Sequence, residues 1–176
     1  MHATETLLAP RREPLGLASQ RLSDTQKGAI IENLVANWVM IGSGGQLSPY
    51  QPVADDRGVD LLVYDRDTSR VLLVQVKGRT RTQKMTAGRR TVQFSVRTQT
   101  FEARPDFYVL GVLVDESLHE PEAFWLVPSE VVRTEAGRAS RGTLRIVASP
   151  SPSSADRWSR YRSISVAGLI AMMAGQ

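Results

Sequence analysis

The stretch Val71 to Arg79, VLLVQVKGR, decides how the rest of the chain is read. A short run this rich in valine and leucine reads as a strand, and in a strand residues two apart project from the same face. Gln75 and Lys77 therefore share a face with Leu73 inside an otherwise apolar segment. Polar groups carried toward a core are costly unless they pair, bind something or reach water. The fold and the function both turn on what this glutamine and lysine meet.

The preceding run, VDLLVYD from Val59 to Asp65, is a second strand, and the polar DRDTSR between them reads as a turn. If the loop holds two or four residues centred on Asp67 and Thr68, Tyr64 faces Val71, Leu62 faces Leu73 and Asp60 faces Gln75. Directly opposed side chains lie about 5 Å apart at Cβ, and Lys77 emerges from the same face one pleat further on. A carboxylate, an amide and an ammonium thus converge on one side of an apolar hairpin. One reading is an Asp60–Lys77 ion pair closing the end of the sheet. The other is a metal-assisted phosphodiester site. Mg²⁺, or Mn²⁺ in its place, takes oxygen ligands that Asp60, the Gln75 amide and the Val76 carbonyl can supply, with Lys77 stabilising charge on the phosphate.

The pattern of Glu32 on a helix, Asp60 in GVD, and Gln75-Val76-Lys77 resembles the PD-(D/E)XK nuclease superfamily. It is most similar to the branches carrying QxK, such as Mrr-like restriction enzymes and group I intron homing endonucleases, over Gly28 to about Pro128. The resemblance implies an α/β fold of the restriction-endonuclease-like type, a central mixed β-sheet flanked by helices. It implies a Mg²⁺-dependent DNA endonuclease in which Asp60 is the main metal ligand, Gln75 replaces a second acid, Lys77 is the catalytic lysine and Glu32 is the helix acid near the metal. A catalytically silent relative that binds nucleic acid or a protein partner is the alternative. The family's proline before the aspartate is Val59 here, Gln75 is neutral where an acid is usual, and QTFEARP leaves little room for the helix expected between the third and fourth core strands.

Elsewhere the chain of 176 residues reads as one domain from 22 to 148, preceded by a mobile arm over 1–21 and followed over 149–176 by a loop and a helix packed on the same domain. SDTQKGAIIENLVANWVMIG is a helix capped by Ser23 or Asp24, with Ile31, Leu34, Val35, Trp38 and Val39 as its apolar stripe. TVQFSVRT, DFYVLGVLVD and AFWLVPSEVV are further strands, and TLRIVA is an edge strand. Asp55 and Asp56 are acids near the candidate site. The interleaved Arg157, Trp158, Arg160, Tyr161 and Arg162 suit either nucleic acid or packing of the terminal segment.

Charge is concentrated. From Lys77 to Phe101 there are seven basic residues (Lys77, Arg79, Arg81, Lys84, Arg89, Arg90 and Arg97) and no acid, so the remainder of a chain with net charge +4 is acidic overall. Such a segment is the footprint of a phosphate backbone, and double-stranded DNA is the expected partner, contacted by Arg79, Arg81, Lys84, Arg89, Arg90 and Arg97. A chain of this size would work as a homodimer to cut both strands. There is no cysteine, which removes disulfides, zinc-thiolate sites and cysteine nucleophiles. With no signal segment or membrane span legible, the expected location is cytoplasmic.

Overall fold

The turn between Asp65 and Arg70 sets the register of the central hairpin. The Asp65 N–H donates to the Arg70 carbonyl at 2.8 Å, closing a loop of four residues. Inside it the Asp65 carboxylate accepts the Asp67 N–H at 3.0 Å and the Thr68 hydroxyl at 2.6 Å. The loop is even, as the placement of Asp60 requires. The computed structural model describes residues 21–54, 57–84, 88–139 and 142–175, so residues 1–20 of the expected arm over 1–21, and Asp55 and Asp56, lie outside the described residues.

Chain order is α1 (Asp24–Gly42), β1 (Leu47–Tyr50), β2 (Leu61–Asp65), β3 (Val71–Arg79), β4 (Gln83–Lys84), β5 (Arg90–Arg97), β6 (Phe107–Val114) and β7 (Pro121–Pro128). Then follow α2 (Ser129–Glu135), β8 (Gly137–Ala139), β9 (Thr143–Ala148), a turn of 3-10 helix (Ser159–Tyr161), β10 (Arg162–Ser163) and α3 (Val166–Ala174). The central sheet has the order β1-β2-β3-β6-β7-β10. It is mixed, because β3 and β6 run parallel from Leu73↔Phe107 to Arg79↔Leu113 while the other described pairs are antiparallel. A smaller antiparallel sheet has the order β4-β5-β9-β8.

Alternation along β3 explains the layering. Leu72, Val74 and Val76 face a core shared with Ile31, Val35 and Val39 of α1 and with Leu169 and Met173 of α3. Burying each of these side chains contributes about 1.5–3 kcal/mol relative to exposure. Ser23 caps α1 by accepting the Gln26 N–H at 3.2 Å, while the Gln26 side chain accepts the Ser23 N–H at 2.9 Å, a reciprocal capping box. The other face of the sheet, through Val109, Leu113, Trp125 and Val127, meets Val92, Phe94 and Val96 of β5, Ile146 of β9 and Val132 of α2. The fold is therefore the expected α/β architecture, a central mixed sheet flanked by helices, with one face shared between α2 and the smaller sheet.

Two expectations about the elements change, for TLRIVA and SEVV, and two others are made specific. TVQFSVRT forms β5 in the smaller sheet, and TLRIVA forms β9 between β5 and β8 rather than at an edge. The SEVV of AFWLVPSEVV opens α2, because Pro128 ends the strand and sits at the helix N-cap. Residues 98–106 contain no helix, and the chain passes from β3 to β6 by way of β4 and β5. No helix among the described residues is long and apolar enough to cross a membrane.

Candidate active site

The site begins where β2 ends. Regular pairing stops at Leu61↔Val74, and the Asp60 N–H donates to the Val74 carbonyl at 2.9 Å instead of continuing the ladder toward Gln75. The expected direct opposition of Asp60 and Gln75 is thus offset at the strand end. Two residues earlier Gly58 adopts φ of 68°, where the chain turns into the strand. The Asp60 side chain nonetheless comes to the predicted place. Its Oδ2 accepts the Val76 N–H at 2.6 Å and lies 3.8 Å from Lys77 Nζ.

Asp60, Gln75 and Lys77 line one cavity of about 600 Å³, open to solvent, whose walls also carry Arg79 and Arg97. Gln75 is 5% exposed, and its Oε1 has no hydrogen-bond donor among the described residues. A buried amide oxygen without a donor is rare and costs on the order of 1–3 kcal/mol. Gly58 shapes this recess, since a Cβ there would lie 2.5 Å from Gln75 Nε2. The Asp60–Lys77 separation is too long for a tight hydrogen bond, which leaves the ammonium protons available to a third group.

Glu32 is placed differently. It lines a neighbouring cleft of about 290 Å³ with Ile31, Val76 and Gly78, while Asp24, Lys77 and Arg79 border both spaces. Gly78 permits this close approach, because a Cβ would lie 2.3 Å from Ile31 Cδ1 on α1. The expected oxygen set is accordingly divided, with Asp60 and Gln75 on one side of Lys77 and Glu32 and Val76 on the other. Among the described residues no three His, Cys, Asp or Glu side chains are grouped closely enough to hold a metal ion.

Solved structures share this architecture. The bacterial homing endonuclease I-Ssp6803I superposes with a TM-score of 0.54 at 20% identity, covering 88% of this chain and 96% of that one. The likeness is one of fold. No family model matches the chain, and no curated protein matches it in sequence.

The basic segment does not act as one surface. Arg79 and Arg97 reach the cavity, and Arg79 also bonds the Gln93 and Gly78 carbonyls. Arg81 lies 3.2 Å from Glu116 and Arg90 lies 3.7 Å from Glu122, around a separate recess. A stretch free of acid in sequence is therefore partly neutralised in space. Lys84 and Gly88 sit at the exposed end of the β4–β5 segment, with Arg89 beside them. The C-terminal arginines serve packing: Trp158 is buried, Arg160 pairs with Glu135, and Arg162 bonds the Ser149 and Pro152 carbonyls.

Sequence reasoning missed Asp24 and Ser95 as cavity residues. Asp24 was legible only as a helix cap. Ser95 is reached because β5 alternates, burying Phe94 and Val96 and turning its intervening residues away from that core.

Proposed function

We propose that this protein is a metal-dependent endonuclease that hydrolyses phosphodiester bonds in double-stranded DNA at the cavity beside β3, and that it belongs with the QxK-bearing PD-(D/E)XK nucleases. The observation carrying this reading is the buried Gln75 Oε1, an acceptor without a donor, in the same cavity as the Asp60 carboxylate and the Lys77 ammonium. A neutral oxygen beside a carboxylate, both facing an aqueous recess, fits a hard divalent cation such as Mg²⁺ or Mn²⁺. The fold, shared with a homing endonuclease, supports the same class of substrate.

In this reading Asp60 and Gln75 hold the ion, and Glu32 and the Val76 carbonyl add negative potential from the adjoining cleft. The ion, when bound, supplies Lewis-acid activation of the phosphate and of water. Lys77 donates to a phosphate oxygen and stabilises the charge that grows there in the transition state. Arg79 and Arg97 hold flanking phosphates and fix the strand in the recess. Cutting both strands calls for two such cavities, so the active species is a homodimer.

A second reading rests on the Val76 bond. Asp60 Oδ2 is already engaged by the Val76 N–H and by Lys77, an arrangement complete without metal, as expected of a silent relative that only binds nucleic acid. Plasmid nicking over a Mg²⁺ and Mn²⁺ titration, with calorimetric metal binding, separates the two. Nicking by wild type that Asp60→Asn abolishes supports the enzyme. Wild type as inert as Asp60→Asn, with no metal bound, supports the silent relative.

A further inference from the structure

A second cavity lies beyond the loop that walls the first. Arg97 and Thr100 border the Asp60 recess, and Thr98 and Phe101, from the same short segment, border a groove of about 390 Å³ on its far side. The loop is pinned there, because the Thr98 N–H and hydroxyl both donate to the Gly142 carbonyl at 2.8 Å. The groove has an apolar floor of Phe101, Ala103 and Leu144, and Arg133 and Arg138 stand at its rim.

These two arginines differ from most others near the recess. Arg133 and Arg138 make no hydrogen bond or ion pair among the described residues, whereas Arg79, Arg81, Arg90, Arg104 and Arg160 are all engaged. Of the acids close to the groove's residues in sequence, Glu135 is paired with Arg160 and Glu102 with Arg57, and Glu130, one turn before Arg133 on α2, makes no ion pair with it among the described residues. Positive charge at this rim is therefore not cancelled by those neighbours. An aromatic ring on an apolar floor, flanked by two free guanidiniums, has the chemistry of a nucleotide site, with the base on the ring and the phosphate on the arginines. The volume falls in the range usual for small-ligand clefts.

We propose that this groove is a subsite for a single-stranded nucleotide flanking the cleaved bond, its unpaired base lying on Phe101 and its phosphate held by Arg133 and Arg138. The strand leaves the Asp60 recess past Arg97, crosses the Thr98–Phe101 loop and seats one splayed nucleotide in the groove. This deepens the nuclease reading and rests on it for the direction of the strand, but it requires no cleavage to be tested.

The test uses the full chain in EDTA with a single-stranded hexanucleotide carrying 5-iodouracil, read by fluorescence anisotropy and by mapping the photo-crosslinked peptide. Arg133→Gln/Arg138→Gln should weaken binding about tenfold and flatten the logarithmic salt dependence by about 0.7, the share of one phosphate on a single strand. Arg66→Gln/Arg70→Gln, an equal charge change at exposed residues bordering neither cavity, should leave both unchanged. Cross-linking should map to Phe101, and Phe101→Leu should remove it while the melting temperature is followed as a folding control. Wild-type affinity in the arginine double variant, or cross-links confined to other peptides, overturns the subsite. Absence of nicking alongside arginine-dependent, Phe101-directed binding would defeat the nuclease reading and leave the subsite standing.

Discussion

The Asp60 carboxylate and the Val76 backbone N–H are joined by a hydrogen bond of 2.6 Å, so the residue nominated for metal binding also fastens the entry of β2 to the middle of β3. Structure and chemistry are separable here by substitution. An asparagine can still accept the N–H, whereas an alanine leaves it without its partner. Asp60→Asn should keep the wild-type melting temperature and abolish Mg²⁺-dependent nicking. Asp60→Ala should abolish nicking and also cost about 1–3 kcal/mol of stability. Paired denaturation and nicking measurements check this, and equal stability loss in both variants would count against it.

Gln75→Glu places a carboxylate where an amide oxygen now lies buried without a donor. In EDTA this variant should melt below wild type, by about 2–4 °C for each kcal/mol lost. Added Mg²⁺ should then raise its melting temperature more than that of wild type, because binding to the folded state alone stabilises it. Thermal scans with and without Mg²⁺ read the difference.

Gly58→Ala brings two penalties together. The residue must hold a positive φ, and its Cβ would meet the Gln75 amide at 2.5 Å. A loss of about 1–2 kcal/mol from the backbone alone is expected, with a larger fractional loss of nicking than of stability because Gln75 must move. Gly28→Ala, where a Cβ has open space, is the matched control and should be neutral or slightly stabilising.

Duplex binding should depend on salt less steeply than seven cations imply. Arg79→Gln and Arg97→Gln should each flatten the logarithmic slope by about 0.9. Arg81→Gln and Arg90→Gln should change it little, since Glu116 and Glu122 already oppose those charges. Anisotropy titrations at several salt concentrations distinguish the two pairs.

Acid should destabilise the fold through two turn aspartates. Burial pushes the Asp115 carboxyl up, but donors from the Ser117 hydroxyl and from the Glu120, His119 and Ser117 N–H groups outweigh it and hold the group at about 2. The Thr68 hydroxyl, chief among several donors, likewise lowers Asp65. Both groups are depressed in the folded state, so their stabilisation is present above the ordinary value of 3.8 and is lost as pH falls below it, for Asp115 toward 2. Melting temperature against pH should drop over that interval, and Asp115→Asn should melt lower at neutral pH with a shallower acid limb.

Local signals carried most of what the sequence disclosed. The α1 start was legible because Ser23 is a capping residue ahead of an apolar stripe, a cap the structure shows completed by Gln26, and the hairpin because a polar turn joins two apolar runs. Sheet membership was not legible, because Val92, Phe94 and Val96 alternate in the same way whichever sheet they join. Charge pairing was hidden for a related reason. Glu116 and Glu122 are far from Arg81 and Arg90 along the chain and meet them only after folding. The convergence of Asp60, Gln75 and Lys77 was legible because a single short hairpin carries all three, whereas the placement of Glu32 in its own cleft depended on how closely α1 settles against Gly78.

The parallel pairing of β3 with β6 also has a kinetic side. Those strands are separated in the chain by the β4–β5 segment, so their pairing is a non-local event of the kind that slows folding. The recess that holds Gln75 is walled by residues from both sheets, so it does not exist in a chain that has formed only its first hairpin. On the proposed nuclease reading, catalytic competence should therefore trail the recovery of secondary structure during refolding, making nicking activity a late reporter of docking.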